Sequence, residues 1–326
     1  MMRWLRPLLS VLGKSVTVLV AVAVINFALV HMAPGDPVSV LAGEAGSSDA
    51  KFLEQLRQEF KLDQPIVVQL GSYLQSIATL DLGYSYRQQR PVWDMIADRL
   101  PATLVLAVPA FLIALLGGIL LGALASRYRG SWLDSAITAA SLAFYATPIF
   151  WVGLLLVLGF SVSLGWLPAF GYETMGSSLT GVARMLDIAK HALLPIVTLA
   201  GFNLAVYTRL ARASMNEIQG ADFVKTAWAK GLSSGRVVWV HQLRNAVLPV
   251  ITLAGMQAGQ LIGGSVLVET VFAWPGIGRL AFDALQQRDY PVLLGVFFCT
   301  SVVVVAFNLL TDLIYRLVDP RMQSQS

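Results

Sequence analysis

The sequence contains few residues whose types and spacing could carry out a reaction. Gly13, Lys14 and Ser15 match the last three positions of a phosphate-binding loop, but Leu8 stands where that loop needs its first glycine. The chain has no HExxH zinc-binding helix and no CxxC pair. A single cysteine cannot form an internal disulfide. With only three histidines, a metal site built from histidines is improbable. We therefore expect no catalytic centre, cofactor or metal in this chain.

Polar side chains inside otherwise apolar stretches are the second group of candidates. An amide or hydroxyl group is costly to bury in lipid, so such residues usually contact a neighbouring helix or line a path for polar solutes. A contact between helices is the ordinary role for any one of them. As a group, they favour a translocation pathway through Asn203, Gln257, Gln260 and Asn308, with Asn26 and Tyr145 as further polar members.

The composition indicates which elements must position these residues. Hydrophobic residues make up 56% of the 326 residues and charged residues 13%, whereas soluble domains have about 45–50% and about 25%. The mean hydropathy is +0.67. These values exclude a disordered, collagen-like or disulfide-rich chain and argue against an ordinary cytosolic enzyme. We predict an all-α integral membrane protein.

Uncharged runs predict where the chain crosses the membrane. Each can supply the roughly 20 residues that a crossing helix needs; the six runs are 15–35, 100–126, 135–172, 191–208, 245–268 and 290–311. The apolar core of the first run exceeds the about 7–15 residues of a cleaved signal, so we expect a retained helix. Pro148 is predicted to kink the third run. Pro101 and Pro249 are predicted to open the second and fifth spans. We thus expect six transmembrane helices.

Lysine and arginine residues in the connections predict the orientation. If the N-terminus is cytoplasmic, the inner segments hold 13 cations and five acids, and the outer segments hold 10 cations and 14 acids. Both termini are then cytoplasmic. The basic isoelectric point of 9.3 follows from this asymmetry, so we expect no nucleic-acid partner.

Two long connections divide the chain into predicted segments. Residues 1–33 form the tail and first span, 34–99 an external helical segment, 100–318 the core, and 319–326 a tail. In the external segment, the caps and prolines predict short helices over Asp49–Phe60 and Pro65–Thr79. A small cap over the bundle and a docking surface for an external partner are equally open roles for it.

The cytoplasmic connection, residues 213–245, is predicted to be a helix, a glycine break and a second helix. Phe223–Lys230 forms the first helix, which follows a cap at Asp222 and ends at Gly231. The second helix is predicted over Arg236–Ala246. A simple link between two spans would need only about 5–10 residues. The structured connection favours contact with a cytoplasmic partner; a solvated hairpin without a partner is the alternative.

The segment ADFVKTAWAKGLSSGRVVWVHQLRNAVLP closely resembles the EAA loop of binding-protein-dependent ABC importer permeases of the dipeptide, oligopeptide and nickel type. HMAPGDPV, DLGYSY, RLPATL, ETVFAWPGIGRLAFDALQQRDYPV and NLLTDLIYRLVDPRM also resemble that family, in the expected order along the whole chain. One departure is Lys225, which stands where the broader signature begins with glutamate. The role of that glutamate therefore does not carry over.

The resemblance implies a type I ABC importer permease fold and a division of labour between subunits. A second homologous permease would complete the pathway, two ATP-binding subunits would bind ATP and Mg²⁺, and an external solute-binding protein would deliver the solute. The coupling contact with an ATP-binding subunit would involve Asp222, Lys225, Thr226, Ala227, Trp228, Ala229, Lys230, Gly231 and Leu232. The family also implies the bacterial inner membrane as the location.

The connection between the fifth and sixth spans is predicted to be partly re-entrant. Its WPGIG sequence cannot continue a regular helix, and irregular backbone near membrane depth is tolerated only where protein buries it or it lines a cavity. Trp274, Pro275, Gly276 and Gly278 would then lie near the outer gate, and a short helix would begin at Arg279. A plain surface loop is the alternative.

Several functions remain open at this point. The importer could carry dipeptides or oligopeptides, or else nickel chelates, glutathione or opines. A secondary transporter would place its ion and substrate sites in one chain, but acidic residues are absent from the middle of the predicted spans. An intramembrane enzyme would need a nucleophile beside His31 or His191, and none is evident in the sequence.

Overall fold

The computed structural model describes residues 2–32, 63–259 and 265–318, and this part of the chain is almost entirely helical. The helices are α1 (Met2–Met32), α2 (Ile66–Ala78), α3 (Val92–Arg127), α4 (Trp132–Ala146), α5 (Ile149–Ser163), α6 (Gly181–Ile218), α7 (Asp222–Ala229), α8 (Ser234–Ala258), α9 (Val266–Val271), α10 (Ile277–Gln286) and α11 (Tyr290–Val318). One antiparallel pair of two-residue strands, β1 (Tyr84–Ser85) and β2 (Arg90–Pro91), precedes α3. The predicted helix Asp49–Phe60, the pathway candidate Gln260 and the tail 319–326 lie outside the described residues.

Four of these helices are long and apolar enough to cross a membrane, namely α3, α6, α8 and the Tyr290–Leu309 part of α11. The α4–α5 pair provides a fifth crossing if it is a single broken span. The apolar part of α1, Gly13–Leu29, is shorter. A multi-span helical membrane protein is therefore confirmed, with four to five crossings by length and composition among the described residues.

Two predicted helix starts were wrong, because the spanning helices extend beyond the uncharged runs. α3 begins at Val92 and continues through Pro101, and its first turn carries Asp94, whose negative charge suits a helix N-terminus. α8 runs from Ser234 through Pro249, with a π-helical stretch over Val237–Gln242. Proline is tolerated inside membrane helices because neighbouring groups satisfy the freed carbonyl.

The third uncharged run is broken rather than kinked. α4 ends at Ala146, Thr147 and Pro148 adopt extended backbone, and α5 leaves at an angle of 109° to α4. Pro148 lacks an N–H group and disfavours helical backbone at the residue before it, which explains the break at this position. The bend is sharper than the kink that the sequence predicts.

The structure divides into two compact units. The larger comprises Ala102–Gly278 with Leu310–Ser326, and its core forms where α4, α5, α8 and α9 pack against the long helix α6. The largest fully buried side chains in this core are Trp274, Tyr207, Phe272 and Leu106.

The smaller unit comprises Met1–Pro101 with Arg279–Leu309. Here α2 packs against α1, with Nε2 of His31 3.0 Å from Oε1 of Gln69 and the rings of Phe27 and Tyr73 stacked 5.7 Å apart. α2 confirms the helix predicted over Pro65–Thr79 to within one residue at each end.

Candidate functional site

The short helix α7 forms where local signals start and stop it. Ala221 has extended backbone, and Asp222 places a negative charge in the first turn. At the other end, Gly231 has a φ of +71°, in the left-handed region that favours glycine. The N–H of Gly231 donates to the carbonyl of Trp228 (2.9 Å), and that of Leu232 to the carbonyl of Ala227 (3.3 Å). This pair of bonds is a Schellman cap, and it confirms the predicted helix end.

One face of α7 is buried against the beginning of α8. Val224 and Val237 are fully buried, Ala227 is 4% exposed, and Leu232 packs against the same cluster. The methyl group of Ala227 therefore faces the chain's own helix α8 rather than the exposed side of α7. The cluster fixes the orientation of α7 relative to α8.

The opposite face of α7 presents aromatic and charged side chains. Phe223 is 43% and Trp228 49% exposed, and Thr226, Ala229 and Lys230 are also exposed. Lys225 forms an exposed 3.1 Å ion pair with Asp222 within the helix. A rigid short helix with two protruding rings can insert into a groove on another protein, where buried aromatic residues contribute much of the binding energy.

The predicted pathway residues are not joined by hydrogen bonds. Asn203 lies half-buried on α6, and Asn308 is exposed on α11. Gln257 lies on α8, and its Oε1 atom is buried without a hydrogen-bond partner. None of these three side chains forms a hydrogen bond with the other described residues, and Gln260 lies outside them. The described residues also include no group of three or more His, Cys, Asp or Glu side chains that could hold a metal.

The predicted gate segment is buried within the larger unit. Trp274 is fully buried, and its indole Nε1 donates to the carbonyl of Ala102 at 2.8 Å. The ring of Tyr172 meets the indole edge-on at 4.9 Å, and the N–H of Gly171 donates to the carbonyl of Phe272 at 2.9 Å. The irregular backbone between α9 and α10 is thus enclosed by protein, and its hydrogen bonds are made internally.

Glu269 is an organising residue of this segment that the sequence reasoning missed. It is fully buried on α9, and its Oε1 accepts hydrogen bonds from the hydroxyl groups of Thr103 and Ser265, each at 2.9 Å. Thr103 also accepts from the N–H of Ile277 at 2.8 Å. A Cβ atom at Gly276 would overlap the Glu269 carboxylate, so glycine is required there. The signal in the sequence was that Glu269 is a single acidic residue in an apolar stretch just before WPGIG.

A second missed interaction joins α4 and α6. Arg212 donates from Nε and Nη2 to the two carboxylate oxygens of Asp134, at 2.6 and 2.9 Å. Asp134 also accepts from the N–H of Gly130 at 3.0 Å. The sequence analysis used these residues only to count charges for the membrane orientation and predicted no pairing between them. Their pairing ties together the charged ends of two membrane helices.

In the smaller unit, the strand pair is bonded to the residues that precede α11. The hydroxyl of Ser85 donates to Oδ2 of Asp289 at 2.5 Å, and Arg87 donates to the carbonyl of Gln287. Asp289 is 6% exposed, and this burial raises the pKa of its carboxyl group. The strand pair is therefore anchored and does not project freely.

Two family models together match most of the chain. A model described as "Binding-protein-dependent transport system inner membrane component" matches residues 118–324. A second, described as "Binding-prot-dependent transport system membrane comp, N-term", matches residues 1–107. The matched ranges include α7 and the segment between α9 and α10.

Characterised relatives and one solved structure are also similar. The dipeptide transport system permease protein DppB of Escherichia coli K12 is 39% identical over 98% of this chain and 99% of its own length. The protein of that name from Haemophilus influenzae is 41% identical over 93% of this chain and 95% of its own. The crystal structure of an amino acid ABC transporter shares the fold, with a TM-score of 0.50 and 18% identity over 68% of this chain and 94% of that one.

Proposed function

Since this chain belongs to the family of inner membrane components of binding-protein-dependent transport systems, we propose that it is the permease subunit of an ATP-driven importer of dipeptides and related short peptides. The observation that carries the peptide assignment is the near-complete alignment with permeases named for dipeptide transport. A relative in Pseudomonas aeruginosa named for di- and tripeptide transport is 39% identical over 96% of this chain.

The proposed importer has its chemistry on other subunits. A second homologous permease forms the other half of the pathway, two ATP-binding subunits bind and hydrolyse ATP with Mg²⁺, and a solute-binding protein delivers the peptide. The family description supports the involvement of a binding protein. Leu8, in place of the first glycine of a phosphate loop, supports the location of ATP hydrolysis outside this chain.

The helix α7 is the proposed contact with an ATP-binding subunit. Its exposed Phe223 and Trp228 suit insertion into a groove, and its buried Val224 and Ala227 make it move with α8 as one body. Movement of the ATP-binding subunit would then reach the spanning helix directly. The exposed residues Asp222, Lys225, Thr226, Ala229, Lys230 and Gly231 complete the proposed contact surface, with Leu232 at its margin.

The proposed topology has six spans and two cytoplasmic termini in the bacterial inner membrane. α1 has 31 residues, which corresponds to about 46 Å and exceeds the about 30 Å hydrocarbon thickness. With α1 and a broken α4–α5 span, the four long apolar helices make six. The excess of lysine and arginine in the inner connections supports the orientation, and residues 34–99 are then external.

The gate and pathway assignments complete the proposal. Trp274, Pro275, Gly276 and Gly278 belong to a segment at the outer gate, and its enclosure by Glu269 and Thr103 supports a defined shape for it. Asn203, Gln257, Gln260 and Asn308 would provide a weakly polar lane for the peptide backbone.

Uptake into vesicles tests this function. The chain is reconstituted with the second permease, the two ATP-binding subunits and the binding protein, and uptake of a labelled dipeptide is measured with and without ATP. We expect uptake only with ATP and the binding protein present. Uptake driven by an ion gradient with this chain alone would instead identify a secondary transporter.

A further inference from the structure

An exposed cation and two aromatic rings form a patch that neither the proposed coupling contact nor the gate segment uses. Cζ of Arg209 on α6 lies 5.3 Å from the centroid of the Tyr145 ring on α4. The Tyr145 ring stacks on Phe202, with centroids 5.3 Å apart and an interplanar angle of 18°. All three residues are exposed, Tyr145 by 45%. We call them the Arg209 patch.

The packing of α4 on α6 holds the patch in place. Gly201 precedes Phe202, and a Cβ atom there would lie 2.9 Å from Cδ1 of Phe144. The absence of a side chain at Gly201 therefore lets the ring of Phe144 lie against α6. This contact brings the neighbouring Tyr145 onto Phe202, immediately before the break at Thr147 and Pro148.

The two rings of the patch lie well away from the charged end of these helices, whereas the backbone of Arg209 lies within one turn of Arg212. The Asp134–Arg212 pair marks that end. Tyr145 is 11 residues along α4 from Asp134, which is about 16 Å, and Phe202 is ten residues before Arg212, about 15 Å. Long side chains on a helix lean towards its N-terminus. The Arg209 side chain accordingly extends towards the rings of Tyr145 and Phe202. It thus extends away from the charged end of the helices, which is the end where lipid headgroups would lie.

Arg209 differs from its neighbour Arg212 in having no acidic partner. Arg212 is held by both oxygens of Asp134. Among the described residues, by contrast, no carboxylate lies within ion-pair distance of Arg209, and its recorded contact is with the Tyr145 ring. An unpaired cation is costly against lipid and marks a water-filled path or a protein contact.

We propose that the Arg209 patch binds the side-chain carboxylate of acidic peptides as they pass through the permease, an inference that rests on the proposed function. A guanidinium group can donate two parallel hydrogen bonds to one carboxylate. The stacked rings of Tyr145 and Phe202 hold it in position and offer an apolar surface to the solute side chains. The patch thereby adds an anion-binding step to a pathway whose other candidates are neutral amides.

The test uses the complete importer in vesicles, with two dipeptides that the wild type carries and that differ in side-chain charge, such as alanyl-glutamate and alanyl-lysine. Uptake and ATP hydrolysis are measured in parallel, with the binding protein saturated. The variants are Arg209→Gln and Arg209→Lys. Arg127→Gln is the matched control, because Arg127 also lies over a tyrosine ring, at 5.5 Å from Tyr128, but at the charged end of α3.

We expect Arg209→Gln to lower uptake of alanyl-glutamate about tenfold more than uptake of alanyl-lysine, with ATP hydrolysis unchanged. Arg209→Lys keeps the charge but loses the paired guanidinium donors, so it should retain only part of the charge preference. Arg127→Gln should leave the preference unchanged. Equal losses for both dipeptides would show that Arg209 holds the second permease or the bundle, and would overturn the proposal, as would no loss. Absence of ATP-dependent dipeptide uptake in the wild type would instead remove the proposed function, and this inference with it.

Discussion

Replacement of Gly231 tests whether α7 must keep its shape for transport. The residue has a φ of +71°, and no heavy atom lies within 4 Å of a Cβ atom built on it. Within this chain an alanine side chain there would meet no neighbour, so its cost to the shape of α7 arises from the backbone alone. Gly235 also has open space around a Cβ atom, but its φ is not positive. The two glycines therefore form a matched pair.

The size of the effect follows from the backbone conformation. A residue with a Cβ atom costs about 1–2 kcal/mol in the left-handed region. Since about 1.4 kcal/mol is a factor of ten, the population of the capped helix end should fall about 5- to 30-fold relative to the frayed end in Gly231→Ala. Gly231→Pro should be more severe, because proline fixes φ near −65° and removes the N–H that donates to Trp228.

The assay is binding-protein-dependent dipeptide uptake by the reconstituted importer. Gly231→Ala is expected to reduce uptake about 5- to 30-fold, and Gly231→Pro to abolish it, with both proteins still present in the membrane. Gly231→Asn should restore part of the rate, since asparagine tolerates left-handed backbone. Gly235→Ala should transport at the wild-type rate. Normal uptake by both Gly231→Ala and Gly231→Pro would refute the coupling role of α7.

Three further tests, which use four substitutions, probe packing and charge. Ala227→Leu should lower uptake, because overpacking against α8 lowers the stability of the fold by about 1–3 kcal/mol. Ala229→Leu is the control, since Ala229 lies on the exposed face and its replacement should not disturb the fold. Equal thermal stability of the two variants in detergent would contradict the observed burial of Ala227. Gly276→Ala should lower the melting temperature by displacing the Glu269 carboxylate, and an unchanged value would argue against that contact. Burial raises the pKa of Asp289, so the folded state favours the protonated carboxyl group. The stability that this group contributes is therefore present below the ordinary carboxyl pKa of about 3.9 and is lost as the pH rises through the raised pKa of the folded state. Asp289→Asn should flatten that part of the stability profile, measured by melting at stepped pH, and an unaltered profile would contradict this sign.

Features encoded by neighbouring residues were predictable from the sequence. The α7 helix, its cap at Gly231 and the position of the bend at Pro148 each depend on the conformational limits of one or two residues, although the sequence predicted a kink there and the structure has a break of 109°. The division into apolar spans likewise follows from where charges are absent. The family resemblance rests on motifs of the same local kind, and the comparisons confirmed it.

The helix boundaries near prolines could not be predicted from neighbouring residues. Pro101 and Pro249 look like helix starts because proline fits the first turn, yet α3 and α8 pass through both. Whether a proline ends a helix depends on what else satisfies the freed carbonyl, and in a bundle that is decided by neighbouring helices.

The sequence by itself determined a membrane permease of this family, with a short capped helix between two spans. Only the tertiary structure decided that Ala227 faces inwards and that Glu269 organises the segment around Trp274. It also showed that Arg212 is paired with Asp134, whereas Arg209 contacts the ring of Tyr145 and pairs with no carboxylate of the residues that the structure describes. The physical reason is range. Backbone preference and hydrophobicity are properties of each residue and its neighbours. Burial and the pairing of polar groups, in contrast, join residues up to 204 positions apart.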